Sequence, residues 1–250
     1  MQKKWIGHFA SGLLVLGLLG GCATQGNKDP LEGVNRGIYK FNDTVDKAAI
    51  KPIAGAYKAV IPSPLRSGVN NFFTNLGTVV TIFNDLLQFK LDKAMDDTGR
   101  FVINTTFGIG GLIDVASMDG IEKRHEDFGQ TLGYWGWKDS TYIVLPFLGA
   151  STLRDTGGLL VDGAFVDPLY YLHPVQDRNL LILTKFIDKR SQYLPASDLL
   201  DEAALDPYAF MRDAYMQRRE NQIHDGDAPK QEEMDSEFYD DTEQAAGASK

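Results

Sequence analysis

The residue best suited to covalent chemistry in this 250-residue chain is Cys22, the only cysteine. Without a second thiol, an intramolecular disulfide is excluded. The segment before it has two lysines near its start, continues as a mostly apolar run over residues 6–19, and ends on Gly20 and Gly21. The run is shorter than the roughly 20 apolar residues of a transmembrane helix. A basic start, a short apolar run and small residues at its end are typical of a secretory signal peptide.

The sequence Leu19-Gly20-Gly21-Cys22 resembles the lipobox of bacterial lipoproteins. This resemblance implies signal cleavage between Gly21 and Cys22, an S-diacylglycerol on the cysteine thiol and an N-acyl chain on the new amino terminus. Each buried CH₂ contributes about 0.8 kcal/mol, so three chains hold a protein at a membrane essentially permanently. Ala23, where an aspartate would retain the protein, implies sorting to the outer membrane, on its periplasmic side. The alternative is a spare thiol that happens to follow a signal peptide.

The sequence contains none of the common motifs for other catalytic chemistry. The histidines are far apart, and the one at position 125 starts a zincin-like pattern without the second histidine. There is no G-x-S-x-G nucleophile elbow and no P-loop. The stretch GIGG at 108–111 could cradle a phosphate, but a turn that lets two helices approach closely is the stronger expectation. We therefore predict no enzyme, no metal site and no cofactor other than the covalent lipid on Cys22.

The charge distribution argues against nucleic acid as a partner. Most of the formal net charge of −9 comes from the last part of the chain, where residues 225–250 contain nine acidic residues and two lysines. The rest of the chain is mildly acidic and has no basic stripe. The sequence predicts a signal peptide at 1–21, a lipidated tether at 22–28, one helical domain at 29–221 and an acidic disordered tail at 222–250.

The periodicity of apolar residues predicts a mainly α-helical fold with at most a short β-hairpin. Two helices are expected to start at Asp-Pro pairs, 29–30 and 206–207, with the aspartate as N-cap. In the first, Glu32 would complete a capping box. One face of that helix carries Leu31, Val34, Ile38, Phe41 and Val45. Further helices are predicted within 52–60, 65–76, 78–89, 94–107, 179–194 and 196–205, and a strand at 141–144 that Pro146 ends.

Three stretches without any charged residue are unusual for a helical protein in water: 67–84, 101–113 and 140–153. Asn, Thr and Gly interrupt them too often for a membrane span. They are explained either as core helices of a large domain or as helices within a bilayer that turn a polar side toward a cavity.

Five separated motifs, at 29–43, 100–117, 126–136, 145–158 and 206–219, resemble those of the MlaA/VacJ lipoproteins in the same order. The likeness runs from the lipobox to about residue 220. It implies a ring-like, membrane-embedded helical body that removes mislocalised phospholipids from the outer leaflet of the outer membrane. It also implies three partners: phospholipid, a trimeric outer-membrane porin and a periplasmic lipid-carrier protein. The alternatives are a structural lipoprotein that scaffolds porins or envelope machinery without moving lipid, and a lipid-modifying enzyme.

Such a protein needs a polar passage, because a charged head group that enters hydrocarbon unpaired costs many kcal/mol. Neutral polar side chains could line it, although each could equally be a cap or a core hydrogen bond: Asn70, Asn71, Asn75, Asn84, Asn104, Thr105 and Thr106. The tether from Cys22 spans at most about 25 Å, which keeps the first helix near the membrane. We predict that Phe41 and Asn42 lie at the edge of the passage as a gate.

Overall fold

The computed structural model describes residues 29–227. These residues form a mainly helical body with one short β-hairpin, which confirms the predicted fold class. The α-helices are α1 (Glu32–Val45), α2 (Lys51–Val60), α3 (Ser63–Leu87), α4 (Leu91–Thr106), α5 (Val115–Met118), α6 (Phe128–Tyr134), α7 (Leu153–Phe165), α8 (Val175–Ala203) and α9 (Pro207–Ile223). A π-helical segment, Asp46–Ile50, joins α1 to α2, and a 3-10 turn, Pro168–Tyr171, precedes α8. No helix in this part of the chain is both long and apolar enough to cross a membrane.

The start of α1 differs from the predicted capping box. The helix begins at Glu32 without a side-chain cap, and Asp29 does not lie at its N-cap. Asp29 is 4% exposed, accepts a hydrogen bond of 2.8 Å from Asn35 Nδ2 and is bound by the hydroxyl of Tyr208 on α9. This tertiary bonding competes successfully with the local cap. At α9 the same Asp-Pro signal predicts correctly, since the carboxylate of Asp206 accepts from the backbone N–H of Ala209 at 3.2 Å.

Two pairs of predicted helices are single long helices. Residues 65–76 and most of 78–89 lie in α3, which runs through Gly77, ends at Leu87 and packs along α4. Residues 179–194 and most of 196–205 lie in α8, which continues through Pro195, ends at Ala203 and packs on α2. Ion pairs from Lys51 to Asp198 at 2.8 Å, and from Arg190 to Asp46 at 2.7 Å, hold α8 on both sides of that proline. Tertiary bonding thus outweighs the helix-breaking tendency of proline.

The β-hairpin consists of β1 (Tyr142–Leu145) and β2 (Gly149–Thr152), paired antiparallel from Tyr142↔Thr152 to Leu145↔Gly149. The predicted strand and its end at Pro146 are confirmed. Tyr142 and Val144 point into the core, where they pack with Tyr208 of α9 and with Ile38 and Tyr39 of α1. The hairpin is therefore the element against which the first and last helices meet.

A buried ion cluster joins α6, α7 and α9. Arg219 lies between Asp127 at 2.7 Å and Asp155 at 2.8 Å, and Arg154 binds the same Asp155 at 3.0 Å. Burial raises the pKa of Asp127, but the hydrogen bonds and charge of Arg219 outweigh burial and hold that pKa well below its usual range. Arg154 and Asp155 are adjacent in sequence, and their side chains are hydrogen-bonded to each other. Both lie in the first turn of α7, where the long arginine side chain reaches back to its neighbour.

The GIGG stretch forms the close-packed turn that the sequence analysis favoured. A side chain at Gly108 would collide with the backbone oxygens of Ile113 and Asn104. Gly111 has a φ of +92°, and a Cβ there would lie 2.7 Å from the side chain of Asn75 on α3. The turn therefore packs the end of α4 tightly against α3, which only glycine permits at these two positions.

Candidate functional site

Two asparagines on α1 bind the backbone at the edge of β1. Asn35 accepts from the N–H of Val144 at 2.9 Å and donates to the carbonyl of Tyr142 at 3.1 Å. Asn42, two helical turns later, accepts from the N–H of Phe147 at 2.8 Å and donates to the carbonyl of Leu145 at 2.9 Å. Each amide thus satisfies one donor and one acceptor, as a neighbouring strand would. These four bonds fix the hairpin, and in particular its tip, relative to α1.

The fixed tip forms one wall of an open pocket of about 340 Å³. The opposite wall is one face of α8, and the π-helical segment contributes the remaining side. The lining side chains are apolar except for one amide: Ile50, Phe147, Leu148, Asn179, Ile182, Leu183 and Phe186. Phe41 lies beside the pocket, with its ring edge-to-face on Phe147 at a centroid distance of 5.3 Å. An apolar, uncharged pocket of this kind favours a hydrocarbon ligand over a polar one.

Polar contacts from α8 hold the wall opposite the tip in place. Arg190 makes a bidentate pair with Asp46 in the π-helical segment, at 2.8 and 2.7 Å. The hydroxyl of Tyr57 on α2 donates to Asp188 at 2.9 Å. Burial and this hydrogen bond to a carboxylate raise the pKa of Tyr57 to about 12. The hydroxyl therefore stays protonated at neutral pH and remains a donor, so α2, the π-helical segment and α8 form one firm unit.

The structure brings the predicted gate residues to this pocket. Asn42 holds the backbone of the tip, and Phe41, 46% exposed, covers Phe147 from the side. The sequence alone did not point to Asn35, the hairpin tip or the lining face of α8 as parts of a site. Two signals could have pointed to them: the spacing of Asn35 and Asn42 by two turns on a face otherwise apolar, and the i, i+3, i+4, i+7 spacing of the α8 residues.

The predicted passage residues do not gather around the pocket, and the bonds of several lie inside the fold. Asn84 is fully buried, donates to Asp162 at 3.1 Å and accepts from Thr131 at 2.7 Å. Asn104 donates to Asp114 at 2.9 Å and accepts from the N–H of Ala116 at 2.9 Å. Both side chains join helices and loops, as core hydrogen bonds do.

The remaining predicted passage residues lie along α3 and α4. Asn75 is buried and donates to the exposed Thr105 at 2.9 Å. Asn70 accepts from Gln192 of α8 at 3.1 Å, and Asn71 donates to the carbonyl of Leu112 at 3.2 Å. Thr106 is exposed and donates back to the carbonyl of Val102 at 2.6 Å. A role of any of these side chains in a passage stays a prediction.

The charge-free stretches divide between the two explanations offered for them. Residues 67–84 lie in α3 and are almost all buried or half-buried, so this stretch is a core helix. Residues 101–113 and the hairpin tip, by contrast, hold large apolar side chains in contact with solvent, among them Phe107 at 75% exposure and Ile109 at 68%. Phe89, Met95, Met118 and Phe165 are also largely exposed. This much bare apolar surface is typical of proteins that contact a membrane or a partner.

The predictions for the signal peptide, for Cys22 with its lipid and for most of the acidic tail concern residues outside the described part of the chain. The end of the described part differs in one respect from the predicted boundary at 221. Helix α9 continues to Ile223, which is 7% exposed, and Asp225 binds Lys90 at 2.7 Å and Lys93 at 2.9 Å. Within residues 29–227, no group of three or more His, Cys, Asp or Glu side chains is arranged to hold a metal ion.

A family model described as the MlaA lipoprotein matches residues 27–222. This is most of the chain and all but a few of the described residues. The chain belongs to the MlaA lipoprotein family.

Relatives of this MlaA family member are similar over most of their length. The intermembrane phospholipid transport system lipoprotein MlaA of Escherichia coli K12 is 36% identical over 233 residues, which cover 90% of this chain and 92% of that protein. MlaA of Haemophilus influenzae is 35% identical over 219 residues, 83% of this chain and 87% of its own. An uncharacterised protein of Rickettsia typhi is 37% identical over 196 residues, 78% of each chain.

The MlaA fold is also found among solved structures. One, described as the structural basis for maintenance of bacterial outer membrane lipid asymmetry, has a TM-score of 0.69 and 36% sequence identity to this chain. The match covers 78% of this chain and 98% of that one. The resemblance drawn from the five sequence motifs is thereby confirmed, including the mainly helical architecture that it implies.

Proposed function

We propose that this MlaA family member removes mislocalised phospholipids from the outer leaflet of the outer membrane and passes them to a periplasmic carrier. Retrograde transport of this kind maintains the lipid asymmetry of the outer membrane. The observation that carries the proposal is the open apolar pocket between the hairpin tip and α8, which is suited to hydrocarbon and carries no charge. The relatives named as phospholipid transport lipoproteins support the same function.

The physical task is to let a head group cross while the acyl chains stay in apolar contact. A phospholipid rarely crosses a bilayer unaided, because its charged head group would lose its water in hydrocarbon. In the proposed mechanism, polar side chains accompany the head group and exposed apolar side chains accompany the tails. Phe107 and Ile109 at the end of α4, together with the hairpin tip, provide such apolar surface.

The lipid on Cys22 keeps the body at the outer membrane, on the periplasmic side. Three acyl chains would make attachment essentially permanent, and the short tether would keep α1 close to the membrane. Trimeric porin and periplasmic carrier are proposed partners on the ground of the MlaA/VacJ resemblance. The protein itself is proposed to be a binding and transfer protein without catalytic activity, and flow must then be driven elsewhere.

The proposal is tested in cells that lack the gene. We expect phospholipid in the outer leaflet to rise, and the wild-type copy to restore its normal level. Cys22→Ser should leave the precursor uncleaved and fail to restore it, whereas Leu205→Ala, which alters a fully exposed side chain, should complement fully. Normal outer-leaflet phospholipid in the deleted strain, together with loss of porin assembly, would instead favour the scaffolding alternative. Turnover of labelled phospholipid by the purified protein would favour an enzyme.

A further inference from the structure

We propose that the pocket between the hairpin tip and α8 binds the terminal part of one phospholipid acyl chain. The inference rests on the proposed function and adds to it a defined subsite for the hydrocarbon end of the ligand. Four of the lining residues follow one another on a single face of α8, at 179, 182, 183 and 186. Three others come from the turn that Asn42 holds and from the π-helical segment.

The chemistry of the lining selects hydrocarbon. The side chains are aliphatic or aromatic, apart from the single amide of Asn179, and none carries a charge that could bind a phosphate. Phe147, Leu148 and Leu183 are each more than half exposed to solvent. An acyl chain laid between them would remove this apolar surface from water, which is the driving force for its binding.

The size of the pocket selects one chain rather than a protein segment. A dry apolar cavity of roughly 150 Å³ takes a benzene ring, and about 340 Å³ is more than twice that volume. A stable protein–protein contact needs roughly 20–30 residues a side, far more than the seven that line this pocket. The pocket therefore holds a segment of one acyl chain, and the second chain and the head group lie outside it.

Photocrosslinking tests the assignment on the full-length mature lipoprotein in detergent micelles. The probe is phosphatidylglycerol with a diazirine near the end of one acyl chain, and mass spectrometry locates the crosslinked residues. We expect crosslinks at the hairpin tip and at residues 182–186, and competition by unlabelled phosphatidylglycerol. Crosslinks spread evenly over the exposed apolar surface, without enrichment at the lining, would overturn the assignment.

Leu183 and Leu180 provide a matched pair of variants. Both are exposed leucines on α8, at 56% and 63%, but only Leu183 lines the pocket. Leu183→Lys should lower the pocket crosslinks about tenfold, whereas Leu180→Lys should change them less than about twofold. Equal crosslinking in the two variants overturns the assignment. If the lysine lowers the melting temperature of either variant, Leu183→Asn and Leu180→Asn are used in place of the two lysine variants. The same difference in crosslinking between positions 183 and 180 is expected.

Failure of this inference and failure of the proposed function give different results. If the wild-type copy restores outer-leaflet lipid in cells but the purified protein shows no enrichment of pocket crosslinks, only the subsite is wrong. If the wild-type copy fails to restore it, the transport function is wrong whatever the crosslinks show.

Discussion

At the scale of single residues, Asn42 is notable because both ends of its amide are used. Its Nδ2 donates to Leu145 and its Oδ1 accepts from Phe147, so neither partner of the turn is left unpaired. An aspartate has the same shape but cannot donate. Its second oxygen would face the carbonyl oxygen of Leu145, so that two acceptors would meet and the hydrogen bond would be lost. The free-energy cost of such a loss is about 1–3 kcal/mol.

We therefore expect Asn42→Asp to lower the free energy of unfolding by that amount and to loosen the hairpin tip. The measurement is urea unfolding combined with hydrogen exchange at the amide of Phe147. Asn70→Asp is the control, because Asn70 only accepts a bond from Gln192, which an aspartate can also accept. Equal losses in the two variants would contradict the role given to the donor of Asn42.

A second residue-scale feature is the buried carboxylate of Asp85 on α3. It is fully buried, and neither oxygen has a hydrogen-bond donor among the described residues. Burial, followed by the charges of Glu126 and Asp97, raises the pKa of Asp85 to about 7, against a smaller opposite effect of Lys90. Burial also raises the pKa of Asp97 on the neighbouring helix, despite Arg124. The two carboxyl groups are best satisfied when they share one proton.

Because the pKa is higher in the folded protein than in the unfolded chain, Asp85 lowers stability as pH rises from about 4 to about 7. Asp85→Asn should therefore match the wild type near pH 4 and be more stable by about 1–3 kcal/mol near pH 8. Thermal unfolding across this pH range measures the difference. The exposed Asp139, changed to asparagine, should show no such pH dependence. A constant difference at all pH values would mean that Asp85 stays ionised when buried.

At the scale of elements, the sequence predicted helices well where an apolar stripe was continuous, and poorly where tertiary bonds decide. Helix α9 starts at Asp206 as predicted, but Asp29 does not cap α1, because Asn35 and Tyr208 bind its carboxylate. The pocket could not be predicted, because its walls come from three separate segments of the chain, at residue 50, at 147–148 and at 179–186. No local sequence pattern predicts which strand edge the side-chain amides of Asn35 and Asn42 will bind.

The junction of α1 with the hairpin is tested by deletion of Phe41 and Asn42. The deletion removes the hydrogen bonds of Asn42 to Leu145 and Phe147. It also rotates the rest of the helix by roughly 200°. If this junction is a gate, the protein stays folded, and outer-leaflet phospholipid rises even in cells that also carry the wild-type copy. Loss of folded protein with a purely recessive phenotype would mean that α1 is an ordinary core helix. Deletion of residues 47–48, in the π-helical segment, is a control of equal length that leaves Phe41 and the hydrogen bonds of Asn42 in place.

The ion cluster around Arg219 acts between three elements. Arg219→Met would leave Asp127 and Asp155 without their shared partner and should cost about 3–5 kcal/mol of unfolding free energy near neutral pH. Since Arg219 holds the pKa of both carboxyl groups low in the folded state, this stabilisation is present above about pH 4 and is lost as pH falls further. Chemical unfolding at neutral and acidic pH should therefore show the two proteins converging in acid. The neighbouring Arg218, exposed and changed to methionine, should have little effect at either pH.

At the scale of the whole molecule, the negative charge is concentrated at the end of the chain. Asp225 belongs to the folded body, since it pairs with Lys90 and Lys93 of the α3–α4 junction. We expect truncation after Asp227 to leave the melting temperature unchanged. Truncation after His224 should lower it slightly, because ion pairs of a partly exposed carboxylate contribute only about 0–1 kcal/mol. A fall of many degrees after the first cut would show that the tail packs on the body.

The bonds between α1 and the hairpin have a consequence for how the chain folds. Asn35 binds residues 107 and 109 positions further along, and the edge-to-face ring contact of Phe41 is similarly remote. Synthesis delivers the amino terminus first, so α1 emerges long before the strand that satisfies its amides. Contacts this distant in sequence form late and slow the search for the native state. The apolar face of α1 must therefore stay uncovered until residue 147 has been delivered, which makes the early chain prone to wrong contacts through this face.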